Sequence, residues 1–422
     1  MRCERFELRA GEDPAALARE LRELVPAPAS VQDAVAEIIA QVRSSGDEAI
    51  REYTRRFDTG GAEPKPLLVD PAETSDAAER LDDAVRTGLE GAIDNVAAVA
   101  GGWGREPDRA IEFDRHQVVL RTAPVPRAAV YVPGGRAPYP STVVMGVVTA
   151  RTAGVPEVVV CAPPGEDGDL HLAILAACHL TRATDVYRMG GAQAVAALAY
   201  GSATVAPVDV IVGPGNLYVQ EAKRQVSAQV GIDGFAGPSD LLVIAAVGAD
   251  ANTLALDLLA QAEHGPGTLV VGVSTSVDLL DSLAEQIAAG PDTGAVAALV
   301  HADATDDAAA LAQAFAPEHL QLAGAPAEAL ASQLTSAGCL FVGPSSGTAF
   351  GDYIAGSNHI LPTNGAARFA SALAPRHFRR SFTEVRIADG SSLARTAAPV
   401  ARAEGFELHA RSMEARIRDN GR

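Results

Sequence analysis

Several things are scarce in this sequence, and each scarcity narrows what the chain does. Basic residues are outnumbered: 34 Lys and Arg stand against 53 Asp and Glu, a formal net charge of −19. So acidic a chain is a poor match for a phosphate backbone, so no nucleic-acid partner is expected. Cysteine is rare, and Cys3, Cys161, Cys178 and Cys339 lie far apart without a C-x-x-C pair. That argues against a zinc knuckle and a disulfide framework; the four read as small buried hydrophobes. No apolar run reaches the roughly eighteen residues of a membrane span. The opening Met1-Arg-Cys-Glu-Arg-Phe-Glu has mixed charge and lacks the apolar core of a signal peptide. A cytoplasmic protein with no membrane partner is expected. Also missing are G-x-G-x-x-G, G-x-x-x-x-G-K-[ST] and H-E-x-x-H, the local signatures of dinucleotide, nucleotide and zinc sites.

What is present is a globular composition, 48% hydrophobic over 422 residues, long enough for two or more domains. Residues 1–120 read as a mostly helical N-terminal extension. Val31, Val35, Ile38, Ile39 and Val42 form one helical stripe, and residues 74–100 give a second helical run. From about 121 the pattern changes. Short apolar runs such as Arg127-Ala-Ala-Val-Tyr, Glu157-Val-Val-Val-Cys-Ala and Val208-Asp-Val-Ile-Val alternate with Ala-rich helical stretches. This is the pattern of a buried parallel sheet. It restarts at Ser239-Asp-Leu-Leu-Val-Ile. The expected fold is α/β, with two incomplete Rossmann-like, doubly wound and mainly parallel domains at 121–235 and 236–378. A small C-terminal tail, 379–422, is too short to fold alone and is expected to pack on another surface.

Four glycine turns lie at strand ends: Pro133-Gly134-Gly135, Gly190-Gly191, Gly213-Pro214-Gly215-Asn216 and Gly237-Pro238-Ser239. Ligands of open α/β sheets bind beyond the carboxyl ends of strands, where glycine permits close backbone approach. Ordinary turn geometry explains the glycines equally, but Tyr131, Gln193, Asn216 and Ser239 place polar groups beside them. Among nine histidines, His264, His319, His359 and His409 have polar company. His264 follows Gln261 by three, His319 follows Glu318 directly, His359 follows Asp352 by seven and His409 follows Glu404 by five. His264, Asp352 and His409 could supply three zinc ligands, yet from spacing alone they are scattered helix-end and loop residues. Adjacent side chains diverge, so Glu318 and His319 would flank a substrate rather than pair, one as general base and one orienting water. Pro317 suggests that a helix starts there.

Taken in order, these stretches resemble histidinol dehydrogenase. The likeness is carried by Val130-Tyr-Val-Pro-Gly-Gly with Tyr139-Pro-Ser-Thr, Gly190-Gly-Ala-Gln-Ala-Val, Val212-Gly-Pro-Gly-Asn with Glu221-Ala-Lys-Arg-Gln-Val, and Ala236-Gly-Pro-Ser. It continues in Gln261-Ala-Glu-His, Ala316-Pro-Glu-His-Leu, Gly351-Asp-Tyr-Ile-Ala-Gly-Ser-Asn-His, and Glu404-Gly with His409. The resemblance implies an enzyme using Zn2+ and NAD+ to oxidise L-histidinol to L-histidine through L-histidinal, the last two steps of histidine synthesis. It implies zinc ligands Gln261, His264, Asp352 and His409, all close to the substrate, and a catalytic pair Glu318 and His319. It implies substrate contacts Ser239, His359 and Glu404, and NAD+ contacts Tyr131, Gln193 and Asn216. By the same likeness His319, with an ordinary pKa near neutrality, is the general base and Glu318 activates water. A homodimer is implied, the tail of one copy completing the site of the other. Helical spacing agrees on Gln261 and His264, since positions three apart share a face and Glu263 points elsewhere. The chain departs from the family at Asp240, usually Glu, at Gly265, often Asp, and at Glu407-Leu408, usually small. A related zinc- and NAD-dependent enzyme acting on another polar alcohol is the alternative.

Overall fold

The computed structural model describes residues 1–25, 30–104, 107–134, 137–234 and 237–417. Gly135, Ala236, the expected boundary between 235 and 236, and residues 418–422 lie outside them. The chain opens with β1 (Arg2–Leu8) and continues through helices Pro14–Glu23, Gln32–Ser45, Asp47–Phe57, Pro71–Glu79 and Asp83–Gly102. Next come β2 (Arg109–Glu112) and β3 (His116–Pro124), then β4 (Arg127–Tyr131), β5 (Glu157–Ala162), β6 (Asp185–Arg188), β7 (Val210–Val212) and β8 (Gly231–Ile232). They are followed by β9 (Asp240–Ala245), β10 (Leu269–Ser274), β11 (Val296–Ala302), β12 (His319–Ala323), β13 (Cys339–Val342) and β14 (Arg379–Ile387). The chain divides into two compact units, Met1–Trp103 with Val125–Phe378, and Gly104–Pro124 with Arg379–Arg422.

Among its described residues the first unit holds two sheets whose strands pair in parallel, with an isolated antiparallel bridge from Leu68 to Tyr187 of β6. One has the order β6-β5-β4-β7-β8 and the other β1-β11-β10-β9-β12-β13. Their central strands bury both faces, which is why they read as unbroken apolar runs. Val158 and Val160 enter one core, while Val159 and Cys161 enter the core on the opposite face. Leu242 and Ile244 are likewise separated from Leu241 and Val243. This is the two-residue alternation of a strand sandwiched between helical layers. The expected mixed α/β class with mainly parallel sheets is what the chain adopts.

The N-terminal region is less purely helical than its sequence suggests. Strand β1 pairs in parallel with β11, from Arg2 opposite Val296 to Leu8 opposite Ala302. Its charged residues suit an edge, where one side of the strand faces solvent. The stripe from Val31 to Val42 runs from the N-cap through helix Gln32–Ser45, and Gly46 separates it from the next helix, Asp47–Phe57. Of the cysteines, Cys161 and Cys178 are buried as expected, whereas Cys3 and Cys339 are only partly covered.

In the second unit β14, β3 and β2 form an antiparallel sheet. Two helices follow, Ser391–Ala403 and Glu407–Glu414. Arg402 clasps them, donating to Glu407 Oε2 at 3.0 Å and to Glu414 Oε1 at 2.7 Å.

Candidate active site

Chain direction explains how distant polar residues of the first unit meet. A helix linking parallel strands returns against them, so its C-terminus arrives at the amino edge of the sheet. Helix Ala251–Ala262 leaves β9 and delivers Gln261 and His264 to that edge. Ser239 lies just before β9, and Glu318 just before His319, the first residue of β12. Strands β9 and β12 are neighbours, with His319 opposite Leu241. The Gly237-Pro238-Ser239 turn therefore lies at an amino end of its strand, not at a carboxyl end. The helix start expected at Pro317 is also absent. Ala316 closes helix Thr305–Phe315 in the left-handed region, at φ 49°, and Pro317-Glu318 lead straight into strand β12.

Glu318 and His319 sit at the centre of this edge, both buried. Gln261 Nε2 donates to Ser239 Oγ at 2.6 Å, and Ser239 Oγ donates to Glu318 Oε2 at 2.5 Å. The Asp240 N–H also donates to Glu318 Oε2, at 3.1 Å. His319 stands between two carboxylates. Its Nε2 is 3.4 Å from Asp352 Oδ1, and its Nδ1 is 3.7 Å from Glu318 Oε2. The second distance is too long for a hydrogen bond, and among the described residues the buried Nδ1 has no hydrogen-bond partner. Asp352 lies in helix Thr348–Tyr353, which returns from β13. His359 follows it, with Nδ1 at 3.0 Å from the Asp352 carbonyl and Nε2 at 3.2 Å from Thr142 Oγ1. Thr142 is in the first turn of the helix after β4, so His359 touches both halves of the unit. Thr142 lies in the family-like stretch Tyr139-Pro-Ser-Thr, but nothing in the sequence marks it as a partner of His359.

Electrostatics sorts these groups. Burial lifts the Glu318 carboxyl to about 7, against the pull of the His319 charge. Burial disfavours a charged His319, but Glu318 and Asp352 outweigh it and raise the imidazole to about 9. The near-neutral value expected for a lone histidine is thus corrected by the two carboxylates. Asp352 is held below the usual carboxylate value, because the bond to His319 and its charge outweigh burial. Burial pushes His264 and His359 down, Asp352 opposing in each case. Burial thus favours the neutral imidazole at both, the form that ligates metals.

A second polar edge lies at the carboxyl ends of β4, β6 and β7. In this sheet β4 has β5 on one side and β7 on the other, the reversal point at which open parallel sheets take ligands. Tyr131 ends β4, and its hydroxyl accepts from the Gly191 N–H at 3.0 Å. Gln193 is buried in the first turn of helix Gly191–Tyr200. Asn216 caps helix Leu217–Val226, its Oδ1 accepting from the Val219 N–H at 3.2 Å. The intervening turn requires glycine: Gly213 has φ 117°, and a Cβ there would fall 2.1 Å from the Tyr131 carbonyl oxygen. Lys223, fully buried, donates to the Gly213 carbonyl at 2.8 Å and pairs with Asp233, which accepts the Gly213 N–H at 2.7 Å. Lys223 lies in one of the family-like stretches, but nothing local marks it as the support of this turn.

Among the described residues, no three His, Cys, Asp or Glu side chains are arranged to hold a metal ion. Within the first unit the donors that suit zinc are the Gln261 amide oxygen, a neutral His264 and an ionised Asp352. Glu404 and His409 belong to the second unit. Glu404 follows helix Ser391–Ala403, and the His409 ring packs against Phe406 with centroids 5.1 Å apart.

Comparison with known proteins settles the family, since the histidinol dehydrogenase family model matches residues 25–417. The chain belongs to the histidinol dehydrogenase family. A histidinol dehydrogenase of Parasynechococcus marenigrum (strain WH8102) is 43% identical over 404 residues, covering 92% of this chain and 91% of that protein. One from Pseudomonas aeruginosa is 41% identical over 409 residues, covering 92% of each. The crystal structure of histidinol dehydrogenase from Elizabethkingia anophelis aligns with a TM-score of 0.89 at 29% identity, covering 98% of each chain. Membership makes this chain one of a family of dehydrogenases, with the fold those relatives share.

Proposed function

We propose that the chain oxidises L-histidinol to L-histidine through L-histidinal, a four-electron reaction that uses two NAD+ and one zinc ion per subunit. Family membership supports the reaction class. The observation that carries the chemistry is His319, buried between Glu318 and Asp352 with Nδ1 left without a partner. When bound, zinc would supply an electropositive anchor for the substrate's imidazole and amine, and NAD+ a hydride acceptor. Gln261, His264, Asp352 and His409 are the zinc residues of this reading; Tyr131, Gln193 and Asn216 are those for NAD+. His409 and Glu404 reach the site from the tail of a second copy, in a cytoplasmic homodimer.

In the first step His319 Nδ1 takes the proton of the substrate hydroxyl. The flanking carboxylates that raise its pKa also stabilise the imidazolium that results. In the second step Glu318 takes a proton from water, whose oxygen bonds to the aldehyde carbon. His319 returns its proton to the carbonyl oxygen, giving the hydrated aldehyde that is oxidised to the acid. Ser239 holds Glu318 in place, while His359 and Glu404 face the substrate. The test is His319→Asn, assayed by turnover of L-histidinol with circular dichroism as a folding control. A loss of roughly 10²–10⁴-fold is expected for a general base. Normal turnover would sink the assignment.

A further inference from the structure

Asp240 is tied to Glu318 at two points. The Glu318 N–H donates to Asp240 Oδ1 at 2.7 Å, and the Asp240 N–H donates to Glu318 Oε2 at 3.1 Å. The other oxygen of Asp240 is also engaged, 3.2 Å from Arg22 Nη1 and 3.3 Å from the Asn364 N–H. Arg22 comes from the last turn of helix Pro14–Glu23, far away in sequence. Its guanidinium lies 3.9 Å over the Phe315 ring, and Nη2 donates to the Phe315 carbonyl at 2.5 Å. Phe315 is three residues before Glu318, and the left-handed Ala316 lies between them. Arg22 thus grips the approach to Glu318 on one side and its Asp240 partner on the other. Asp240 is buried, and a lone buried carboxylate there would repel Glu318; Arg22 supplies the opposite charge.

Both bonds from Ser239 and Asp240 fall on Glu318 Oε2, which leaves Oε1 as the oxygen to face a water. We propose that Arg22 and Asp240 are positioning residues for Glu318, and that through it they govern hydration of the aldehyde rather than oxidation of the alcohol. The inference rests on the reading of Glu318 given above. Hydration forms a bond between the water oxygen and the aldehyde carbon, one water proton going to Glu318 and one proton coming to the carbonyl oxygen; no electrons are transferred in it. A displaced Oε1 slows that step most, because the alcohol proton goes to His319, to which neither Arg22 nor Asp240 is hydrogen-bonded and which Asp240 reaches only through its charge.

The test uses the full-length enzyme carrying Arg22→Met, Arg22→Lys or Asp240→Asn, with Glu318→Gln as reference. NADH formation is followed separately from L-histidinol and from supplied L-histidinal, alongside thermal melting. The expected result for Arg22→Met and Asp240→Asn is about a ten- to hundredfold slower oxidation of L-histidinal, the effect of small misplacement, with the first oxidation of L-histidinol slowed much less. Arg22→Lys, which keeps the charge, should recover part of the rate. Asp240→Asn is close to isosteric and keeps the proposal readable should Arg22→Met unfold. Equal loss in both oxidations, or loss in neither, overturns the inference. Should Glu318→Gln itself slow both steps alike, the reading of Glu318 falls and the inference with it. Should Glu318→Gln be selective and the Arg22 and Asp240 variants not, the inference alone falls.

Discussion

Thr142 Oγ1 stands 3.2 Å from His359 Nε2, while His359 Nδ1 stands 3.0 Å from the Asp352 carbonyl. A carbonyl only accepts, so Nδ1 is the donor, and in the neutral ring Nε2 accepts from the threonine hydroxyl. Burial keeps His359 below its ordinary pKa, which favours this neutral tautomer. Thr142→Val removes the hydroxyl at constant size and leaves His359 less well oriented toward the substrate. A neutral hydrogen bond is worth about 0.5–1.5 kcal/mol. Steady-state kinetics should show a KM for L-histidinol raised roughly two- to tenfold, at that same worth, with kcat little changed. A fall in kcat at constant KM would contradict the assignment of His359 to binding.

The second prediction concerns pH. His319 accepts a proton only when unprotonated, and Glu318 and Asp352, outweighing burial, raise it to about 9. The unprotonated fraction therefore grows as pH rises through neutrality. The kcat/KM for L-histidinol should climb by up to ~tenfold per pH unit and level off as His319 is titrated, since kcat/KM reports the groups of the free enzyme. His319→Asn should lose this rising limb. A wild-type profile that falls between pH 7 and 9 would contradict the assignment.

Much of this site was legible because its signals are local. Gln261 and His264 are three apart at a helix end, and the glycine turns mark strand ends within a few residues. The parallel sheets announce themselves as apolar runs because both faces are buried. What the pattern hid depends on long-range pairing. Arg22 meets Asp240 across 218 residues and Asp240 meets Glu318 across 78, with no periodicity linking them. Strand β1 carries alternating charge, because it is an edge strand, and it lacks the buried signature of its neighbours. Pro317 looked like a helix start, yet the left-handed Ala316 turns the chain into β12 instead. The raised pKa of His319 comes from Glu318 beside it and also from Asp352, which the sequence places 33 residues away.

The third prediction concerns the turn beside Tyr131. Lys223 and Asp233 are a buried pair, with side chains 1% and 8% exposed, and both bond Gly213. Lys223→Met leaves Asp233 as an uncompensated buried charge, a loss of about 3–5 kcal/mol. Urea denaturation should show it, and NADH titration followed by fluorescence should show weaker binding, because the Gly213 turn is released. Replacing Asp233 as well, by Leu, should restore much of the stability. Unchanged denaturation of the single variant would show that the pair does not support the turn.

The most direct test of the whole account is the number of NADH molecules formed per L-histidinol consumed, with and without a zinc chelator. Two per substrate are expected, with the product L-histidine, and the yield should collapse when the metal is stripped and recover when zinc is restored. One NADH per substrate, with the aldehyde accumulating, would contradict the four-electron reaction, and none from the zinc-loaded enzyme would contradict the substrate itself.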